Sequence, residues 1–400
     1  MISLDQALIE REIFTNWIFD EALPLWSSAG TDWERGGFRE TIDQYGLSPD
    51  VPRRTRVVGR QIYSYATARQ LGWTGEAERV VDHGVRYLLE HCVKADGTVV
   101  SATTPDGTVV DGRFDLYDHA FALFGLAAAA GADYKRAEVT AVARRMREAM
   151  IKGWAHPTAG FEECVPRTLP LKANPHMHVF EAALAWLETG PESGDTGWAS
   201  LADEIAELCL SKFIAPETGA LREFFDGEWY PISGDIGRIV EPGHQFEWAW
   251  LMVRWGVLRG RQDALDAATR LIRVGEEAGT DPLRGLAVSE IWDDLTVKDN
   301  TARLWQQTER IKAWLAATII AQSRSDKDKA WDRVAAATAG LRKYWQFPVA
   351  GGAWENILAD GSFKEEAARA SSLYHMVCAL SEMHRLLPTL AGTDAIVELG

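Results

Sequence analysis

Six apolar stretches of the chain each carry unusual polar or aromatic residues near their beginning. These residues are Arg60; Tyr117 and His119; Asn174, His178 and Glu181; His244, Glu247 and Trp250; Trp305 and Glu309; and Tyr374 and His375. Imidazole side chains exchange protons near neutral pH, and carboxylate and guanidinium groups bind hydroxyl groups. Indole faces pack on sugar rings. The combination predicts a pocket for an uncharged polyol ring in which histidines carry the protons.

The spacing of these residues indicates which of them share a helix face. His244 lies three residues before Glu247, so both side chains project from one face. Trp305 precedes Glu309 by four residues, with the same consequence. Each residue alone also has a structural interpretation, as a hydrogen-bonded core histidine or a buried acceptor. The joint pattern at the start of six similar stretches favours function.

We expect neither a metal nor a cofactor. His176 and His178 are two residues apart and face away from each other on a helix, so they do not predict a shared metal site. The chain contains no glycine-rich phosphate loop, no G-x-S-x-G and no H-E-x-x-H. These absences argue against a nucleotide cofactor and a serine hydrolase.

The elements that carry these residues repeat along the chain. Apolar residues recur at helical spacing in twelve segments, which are residues 3–22, 57–71, 75–92, 116–130, 134–153, 176–189, 195–213, 241–258, 261–277, 302–322, 327–346 and 365–387. Between pairs of helices, a glycine followed by apolar and acidic residues predicts a short hairpin. These glycines are Gly37, Gly97, Gly160, Gly219, Gly285 and Gly352, spaced 59 to 67 residues apart.

Six helix pairs with this period predict an all-α (α/α)6 barrel of twelve helices with short β-hairpins in the loops. We expect residues 1–400 to form one such catalytic domain. Apolar helices alternate with helices that are charged on one face, as two concentric rings require. The same ends of the inner helices would then converge on one mouth. An open α-solenoid is the alternative, although solenoid repeats are usually shorter, at roughly 34–47 residues.

Composition limits the partners. Acidic residues outnumber basic ones in this 400-residue chain, with a formal net charge of −16, so we expect no nucleic acid and no anionic membrane surface as partner. No apolar stretch approaches the ~20 residues of a membrane span. Four cysteines without a CxxC pair and a start without signal-peptide features predict a cytoplasmic protein, either monomer or homo-oligomer. The 17 tryptophans suit sugar stacking.

The motifs resemble those of the N-acylglucosamine 2-epimerase superfamily, over nearly the whole chain. They are GRQIY around Arg60, LYDHAF around Tyr117, N-x-x-x-H at Asn174 and His178, PGHxxEWAW from His244 to Trp250, W-x-x-x-E at Trp305 and Glu309, and YH at Tyr374 and His375. EPGHQFEWAWLM is most similar to the mannose isomerase branch. Ser371 and His176 depart from the pattern of the sulfoquinovose isomerase branch, which disfavours recognition of a sulfonate.

The resemblance implies an (α/α)6 barrel and isomerisation or 2-epimerisation of a monosaccharide without metal or cofactor. It implies that His244 and His375 form the acid/base pair, with His178 beside them. The expected substrate-binding residues are Arg60, Tyr117, Asn174, Glu247, Trp250, Trp305 and Glu309.

The reaction that the resemblance favours is interconversion of D-mannose and D-fructose through a cis-enediolate. We expect His375 to be the base, His244 to exchange protons with the oxygens, and Arg60 to stabilise the oxyanion. His178 would assist ring opening. The alternatives are a sugar 2-epimerase of the mannose/glucose or N-acylglucosamine type, a sulfoquinovose isomerase, a glycoside hydrolase, which needs two carboxylates flanking the bond, and a non-catalytic carbohydrate-binding protein.

Overall fold

A computed structural model describes residues 2–164, 166–190 and 194–388. Within these residues the chain forms twelve helices. The first, α1, comprises Ile2–Trp17, a π-helical turn at Ile18–Ala22 and Leu23–Ser28. The others are α2 (Thr55–Gln70), α3 (Ala77–Tyr87, with a π-helical turn Leu88–Cys92), α4 (Leu116–Gly131), α5 (Arg136–Trp154), α6 (Ala173–Glu188), α7 (Gly197–Leu208, with a π-helical turn Cys209–Phe213), α8 (Pro242–Arg259), α9 (Gln262–Glu277), α10 (Leu304–Ile320), α11 (Arg324–Leu341, with a 3-10 turn Arg342–Trp345) and α12 (Ala370–Leu386).

The even-numbered helices form a closed inner ring. Each packs against the next even-numbered helix, and α12 packs against α2. The odd-numbered helices lie outside, where α3 contacts α2, α5 contacts α4, and so on to α11, which contacts both α10 and α1. Almost every residue of α4, α6 and α8 is buried, whereas α3 and α9 bury one face. Closure of the inner ring confirms the (α/α)6 barrel and excludes the open solenoid. None of the described helices has the length and hydropathy needed to cross a bilayer.

Fourteen short strands in the described loops form six small sheets. The strands are β1 (Thr41–Ile42), β2 (Arg53–Arg54), β3 (Ala102–Thr103), β4 (Val109–Asp111), β5 (Leu171–Lys172), β6 (Phe224–Phe225), β7 (Ile239–Val240), β8 (Thr280–Asp281), β9 (Leu286–Ala287), β10 (Glu290–Trp292), β11 (Val297–Asp299), β12 (Ala302–Arg303), β13 (Asn356–Ile357) and β14 (Ala368–Arg369).

Strands that precede inner helices pair with strands of other loops. The pairs β2–β3, β5–β6, β7–β10, β12–β13 and β14–β1 are all antiparallel. The last of them joins the final loop to the first. Five of the six pairs of neighbouring loops are joined in this way, and no strand pairing among the described residues joins the loop before α4 to the loop before α6. The loops at the N-terminal ends of the inner helices form a rim around one mouth of the barrel.

The predicted hairpins are smaller than expected, because most of the strand pairing joins different loops. Only Gly285 turns a two-stranded hairpin, β8–β9. At Gly37, Gly97, Gly160 and Gly219 the local pairing is a single antiparallel bridge. These glycines have positive φ, which glycine adopts without strain. In the sixth loop the residue with positive φ is Gly351 rather than Gly352. Pairing of β14 with β1 also delays the start of α12 from the predicted residue 365 to Ala370.

Candidate active site

The N-terminal turns of the inner helices meet at the mouth that the rim surrounds. Because the inner helices run in the same direction, the same helix position recurs at the same depth around the axis. The sixth residues of α2, α4, α6, α8, α10 and α12 are Arg60, Phe121, His178, Glu247, Glu309 and His375. Four of these six are histidines or glutamates, which can bind or release a proton, and Arg60 adds a fixed positive charge, so acid–base groups are concentrated in one layer.

A cavity of about 200 Å³ opens above this layer. Eight of the ten predicted site residues line it, namely Arg60, Tyr117, Asn174, His178, His244, Glu247, Trp305 and His375. The two that do not are Glu309 and Trp250. The rim contributes Glu241, Arg303, Glu355 and Arg369 to the lining, and the first turn of α12 contributes Ser371 and Ser372.

His375 is a neutral imidazole held by a carboxylate. Its Nδ1 lies 2.9 Å from Oε1 of Glu309, which is fully buried. Burial, together with the positive charges of Arg60 and Lys312, holds the pKa of His375 well below its usual range. The bond to Glu309 occupies Nδ1 and leaves Nε2 for the cavity. Such an imidazole suits a general base.

His244 has the opposite protonation state. Its Nδ1 lies 2.9 Å from Oε2 of Glu223, and Glu241 is also close. Burial lowers the pKa of His244, but Glu223 and Glu241 outweigh that effect and raise the pKa to about 9. The ring is therefore protonated at neutral pH and can donate a proton.

The ring of His178 is held by Glu181, which lies one turn further along α6. Its Nδ1 lies 3.0 Å from Oε2 of Glu181, and the hydroxyl of Tyr374 donates to Oε1 of the same carboxylate at 2.6 Å. Burial lowers the pKa of His178 to about 4. This imidazole is neutral and held in one orientation.

Trp305 brings the two oppositely protonated histidines together. Its ring centroid lies 4.9 Å from that of His244 and 5.7 Å from that of His375. One imidazole with a raised pKa and one with a lowered pKa therefore flank a single indole. Their pKa values are displaced in opposite directions, which is the pattern expected of an acid/base pair.

Several polar atoms facing this cavity have no hydrogen-bond partner among the described residues. They are Nε of Arg60, Oδ1 of Asn174 and both carboxyl oxygens of Glu247. A buried polar atom left unpaired costs roughly 1–3 kcal/mol, so a ligand with several hydroxyl groups would be stabilised here. The guanidinium of Arg60 also donates to the hydroxyl of Tyr117 at 2.6 Å.

The structure places Trp250 and Glu309 behind the cavity. Trp250 lies one turn deeper than Glu247, where its Nε1 donates to Glu382 at 2.9 Å, and it lines a separate cavity at the opposite end of the barrel. Trp250, which the sequence predicts to bind substrate, therefore does not line this cavity. Glu309 contacts His375 instead of the cavity.

Two other histidines of the inner helices tie loops to the barrel. Nε2 of His119 accepts from the backbone N–H of Val99 at 2.9 Å, and Nε2 of His176 accepts from that of Phe161 at 3.0 Å. Both histidines are the fourth residue of their helix. Gln245 and Gln307 occupy the same position in α8 and α10 and bind loop backbone in the same way. These residues have a structural role.

Three groups of described donor atoms are close enough to hold a metal ion. They are His178, Glu181 and Glu247; Glu223, Glu241 and His244; and Glu247, Glu309 and His375. In each group, Nδ1 of the histidine lies within 3.0 Å of a carboxylate oxygen of that group. The side chains therefore form histidine–glutamate pairs, and the absence of a metal ion stays a prediction.

Residues 36–379 match the family of N-acylglucosamine 2-epimerases. The chain belongs to this family. It is 43% identical over 373 residues to a protein named mannose-6-phosphate isomerase from Rhizobium meliloti (strain 1021), covering 93% of this chain and 96% of that protein. It is 30% identical over 260 residues to a D-mannose isomerase from Thermobifida fusca, covering 59% and 61% of the two chains.

Solved structures show the same fold. A sugar epimerase from a ruminal bacterium superimposes with a TM-score of 0.83 at 19% identity, covering 96% of this chain and all of that one. A D-mannose isomerase superimposes with a TM-score of 0.80 at 17% identity, covering 93% and 97%. The family and the sequence relatives make this protein an enzyme of the sugar isomerase and epimerase class.

For this member of the N-acylglucosamine 2-epimerase family, sequence reasoning missed the acids of the rim. Glu223, Glu241 and Glu355 stand in loops, and each lies beside a helix of the inner ring. A signal was present for two of them, because Glu223 and Glu355 follow the loop glycine by three or four residues. The same glycine pattern predicts hairpins, but it also marks the loop acids that lie beside the inner helices.

Proposed function

We propose that this enzyme interconverts D-mannose and D-fructose by proton transfer through a cis-enediolate. The feature that carries the proposal is the placement of His375 and His244 beside the same Trp305 ring, where the pKa of His375 is lowered and that of His244 is raised. Isomerisation requires one group that removes a proton from carbon and another that protonates oxygen. Two sequence relatives have names that include mannose isomerase or mannose-6-phosphate isomerase.

In the proposed reaction, Nε2 of His375 takes the proton from C2 of the open-chain aldose. His244 donates its proton to the carbonyl oxygen O1, which gives the cis-enediol. His244 then recovers a proton from O2 while His375 delivers the proton to C1. C2 becomes a carbonyl and C1 a CH₂OH group, so both histidines return to their starting states.

Other cavity residues would stabilise charge and bind hydroxyls. Arg60 can stabilise the negative charge that develops on oxygen, because it is buried and its Nε is unpaired. Burial and the nearby Glu309 raise the pKa of Glu247 well above its usual range, so this residue can donate a hydrogen bond to the sugar. His178, whose pKa is lowered by burial and which lies on α6 across the barrel from α12, would assist opening of the sugar ring.

A phosphorylated sugar is the second candidate substrate. A cavity of about 340 Å³ lined by Arg54, Arg56 and Lys172 adjoins the first and shares Arg60 with it. Each of those three cations is already paired, however, with Glu40, Asp118 and Glu163 respectively. Paired charges attract a phosphate weakly, which favours the uncharged sugar.

Product analysis with four substrates separates these candidates. We expect fructose from D-mannose, with a kcat/KM at least tenfold above that for D-mannose 6-phosphate. A dominant reaction with the phosphate would make the second candidate correct. Formation of glucose instead of fructose would make the enzyme a 2-epimerase, and release of aglycone from a mannoside would make it a hydrolase. Turnover of sulfoquinovose above mannose would indicate a sulfonate-specific isomerase.

A further inference from the structure

A buried lysine lies directly beneath the proposed base. Lys312 is on α10, one turn after Glu309, and none of its side chain is exposed. Its Nζ lies 2.6 Å from Oε2 of Glu309, 3.9 Å from Oε1 of Glu247 and 3.7 Å from Sγ of Cys378. The same Nζ stands 3.9 Å from the centre of the Trp250 ring.

Among the inner helices, only α6 and α10 have an acidic or basic residue at the depth of Lys312. The residues at the same depth on the other inner helices are Tyr63, Phe124, Glu181, Trp250 and Cys378. A buried ion pair rarely adds stability relative to well-packed apolar residues, because both charges must be desolvated. A methionine at position 312 would fill similar volume without that cost, so the charge itself calls for an explanation.

Glu309 divides its two oxygens between a histidine and this lysine. Oε1 lies 2.9 Å from Nδ1 of His375 and accepts from the hydroxyl of Thr308 at 3.3 Å. Oε2 lies 2.6 Å from Nζ of Lys312, with which it forms an ion pair. A carboxylate can accept the Nδ1 proton, which leaves a lone pair on Nε2. A protonated Glu309 would donate to Nδ1 instead and would move the ring proton to Nε2. The imidazole would then have lost its basic nitrogen on the cavity side.

We propose that Lys312 is a positioning residue that keeps Glu309 ionised and thereby fixes the tautomer in which His375 presents an unprotonated Nε2 to the sugar. The inference rests on the proposed function for its catalytic consequence, but the tautomer itself does not depend on turnover. Without the lysine, burial and the neighbouring carboxyl groups would favour protonation of Glu309.

The other charged and titratable groups around this pair come from all sides of the barrel. They are Glu247 and His244 from α8, Cys378, Tyr374 and His375 from α12, Glu181 and His178 from α6, Tyr63 and Arg60 from α2. Lys312 is the cation that lies at the depth of these groups, and Arg60 lies nearer the mouth, in the layer of His375. Removing Lys312 therefore leaves the carboxyl groups of this layer without their nearest cation.

The test compares Lys312→Met and Lys312→Arg with a matched control, Arg310→Met. Arg310 is also buried on α10 and pairs with a carboxylate, Glu276, at 2.6 Å, but it faces the outer helices. We expect Lys312→Met to lower kcat about 100-fold or more, with KM little changed. We also expect its acid limb of kcat to move to higher pH, where Glu309 ionises. Lys312→Arg should recover much of the activity, and Arg310→Met should keep the wild-type pH profile.

Nitrogen NMR of the His375 ring gives a second readout that needs no turnover. The wild-type protein should carry the ring proton on Nδ1, and Lys312→Met should carry it on Nε2. A wild-type ring protonated on Nε2 would overturn the inference even if the variant does not fold. So would a folded Lys312→Met variant with the wild-type tautomer and pH profile. Inactivity of the wild-type enzyme on sugars, with the expected tautomers, would instead refute the proposed function alone.

Discussion

Replacing Glu223 by glutamine should deprotonate His244, the proposed proton donor, at alkaline pH and should leave it protonated at acidic pH. Glu223 is the carboxylate nearest to His244, with Oε2 2.9 Å from Nδ1. Burial lowers the pKa of His244, and Glu223 and Glu241 raise it to about 9. Glu223 raises the pKa of His244 more than Glu241 does. The loss of its charge should therefore bring the pKa of His244 back to about 6.5 or below.

The size of the effect follows from the protonated fraction of His244. With a pKa of about 9, roughly nine-tenths of the rings are protonated at pH 8, and with a pKa of about 6.5 only about 3% are. The ratio of wild-type to variant kcat/KM should therefore be about 30 at pH 8 and close to 1 at pH 5.5. The alkaline limb of the variant should shift to lower pH by about two units or more.

The assay is the pH profile of kcat/KM, which reports groups of the free enzyme. Glu40→Gln is the matched control, since Glu40 has the equivalent place in the first loop: its backbone carbonyl binds the start of α12 as that of Glu223 binds the start of α6. This control should leave the alkaline limb in place. A variant-to-wild-type ratio for Glu223→Gln that is the same at every pH would refute the reasoning.

The stability of the protein should also depend on this histidine. Its pKa is raised on folding, so the stabilisation is complete below about pH 6.5 and disappears as the pH rises through about 9. Urea midpoints for the wild type should fall across that interval more steeply than those of Glu223→Gln.

Three further outcomes are expected. His375→Ala should lower kcat by about 100-fold or more while near-UV circular dichroism stays unchanged, and near-normal turnover would remove it from the mechanism. Trp305→Leu should raise KM about tenfold, the equivalent of about 1.4 kcal/mol, because the sugar loses its aromatic surface; an unchanged KM would show that the ring does not bind it. Activity should survive exhaustive treatment with EDTA, because the histidines are paired with glutamates, and loss with recovery on adding a divalent ion would indicate a metal isomerase.

Much of the architecture was predictable because it repeats. Twelve helices and their order followed from apolar periodicity, and the closed ring followed from six copies of one unit. Recurrence of polar residues at the start of alternate helices predicted the mouth of the barrel. Periodicity did not indicate how far each side chain lies below the mouth of the barrel. Trp250 shares a helix face with Glu247, but it lies a turn lower, where a residue no longer reaches the cavity.

Partners that come from distant parts of the chain were also out of reach. Glu309 and His375 are separated by 66 positions, and Glu181 and Tyr374 by 193. Only the closed ring brings α10 beside α12 and sets α6 across from it. The role of Glu223 likewise depends on strand pairing between loops, which two-residue strands do not reveal in the sequence. The contacts of Lys312 also come from other helices, so the sequence of α10 alone does not distinguish this inward-facing lysine from a solvated one.

In the proposed mechanism one imidazole moves a proton between C2 and C1 of mannose. Incubation of D-mannose with the enzyme in D₂O, followed by NMR of the products, measures that transfer. We expect fructose labelled with deuterium stereospecifically at C1, with part of the original C2 proton retained because the shielded His375 ring exchanges slowly. Glucose labelled at C2 as the dominant product, with little fructose, would contradict it, since the proton would then have returned to the opposite face of C2.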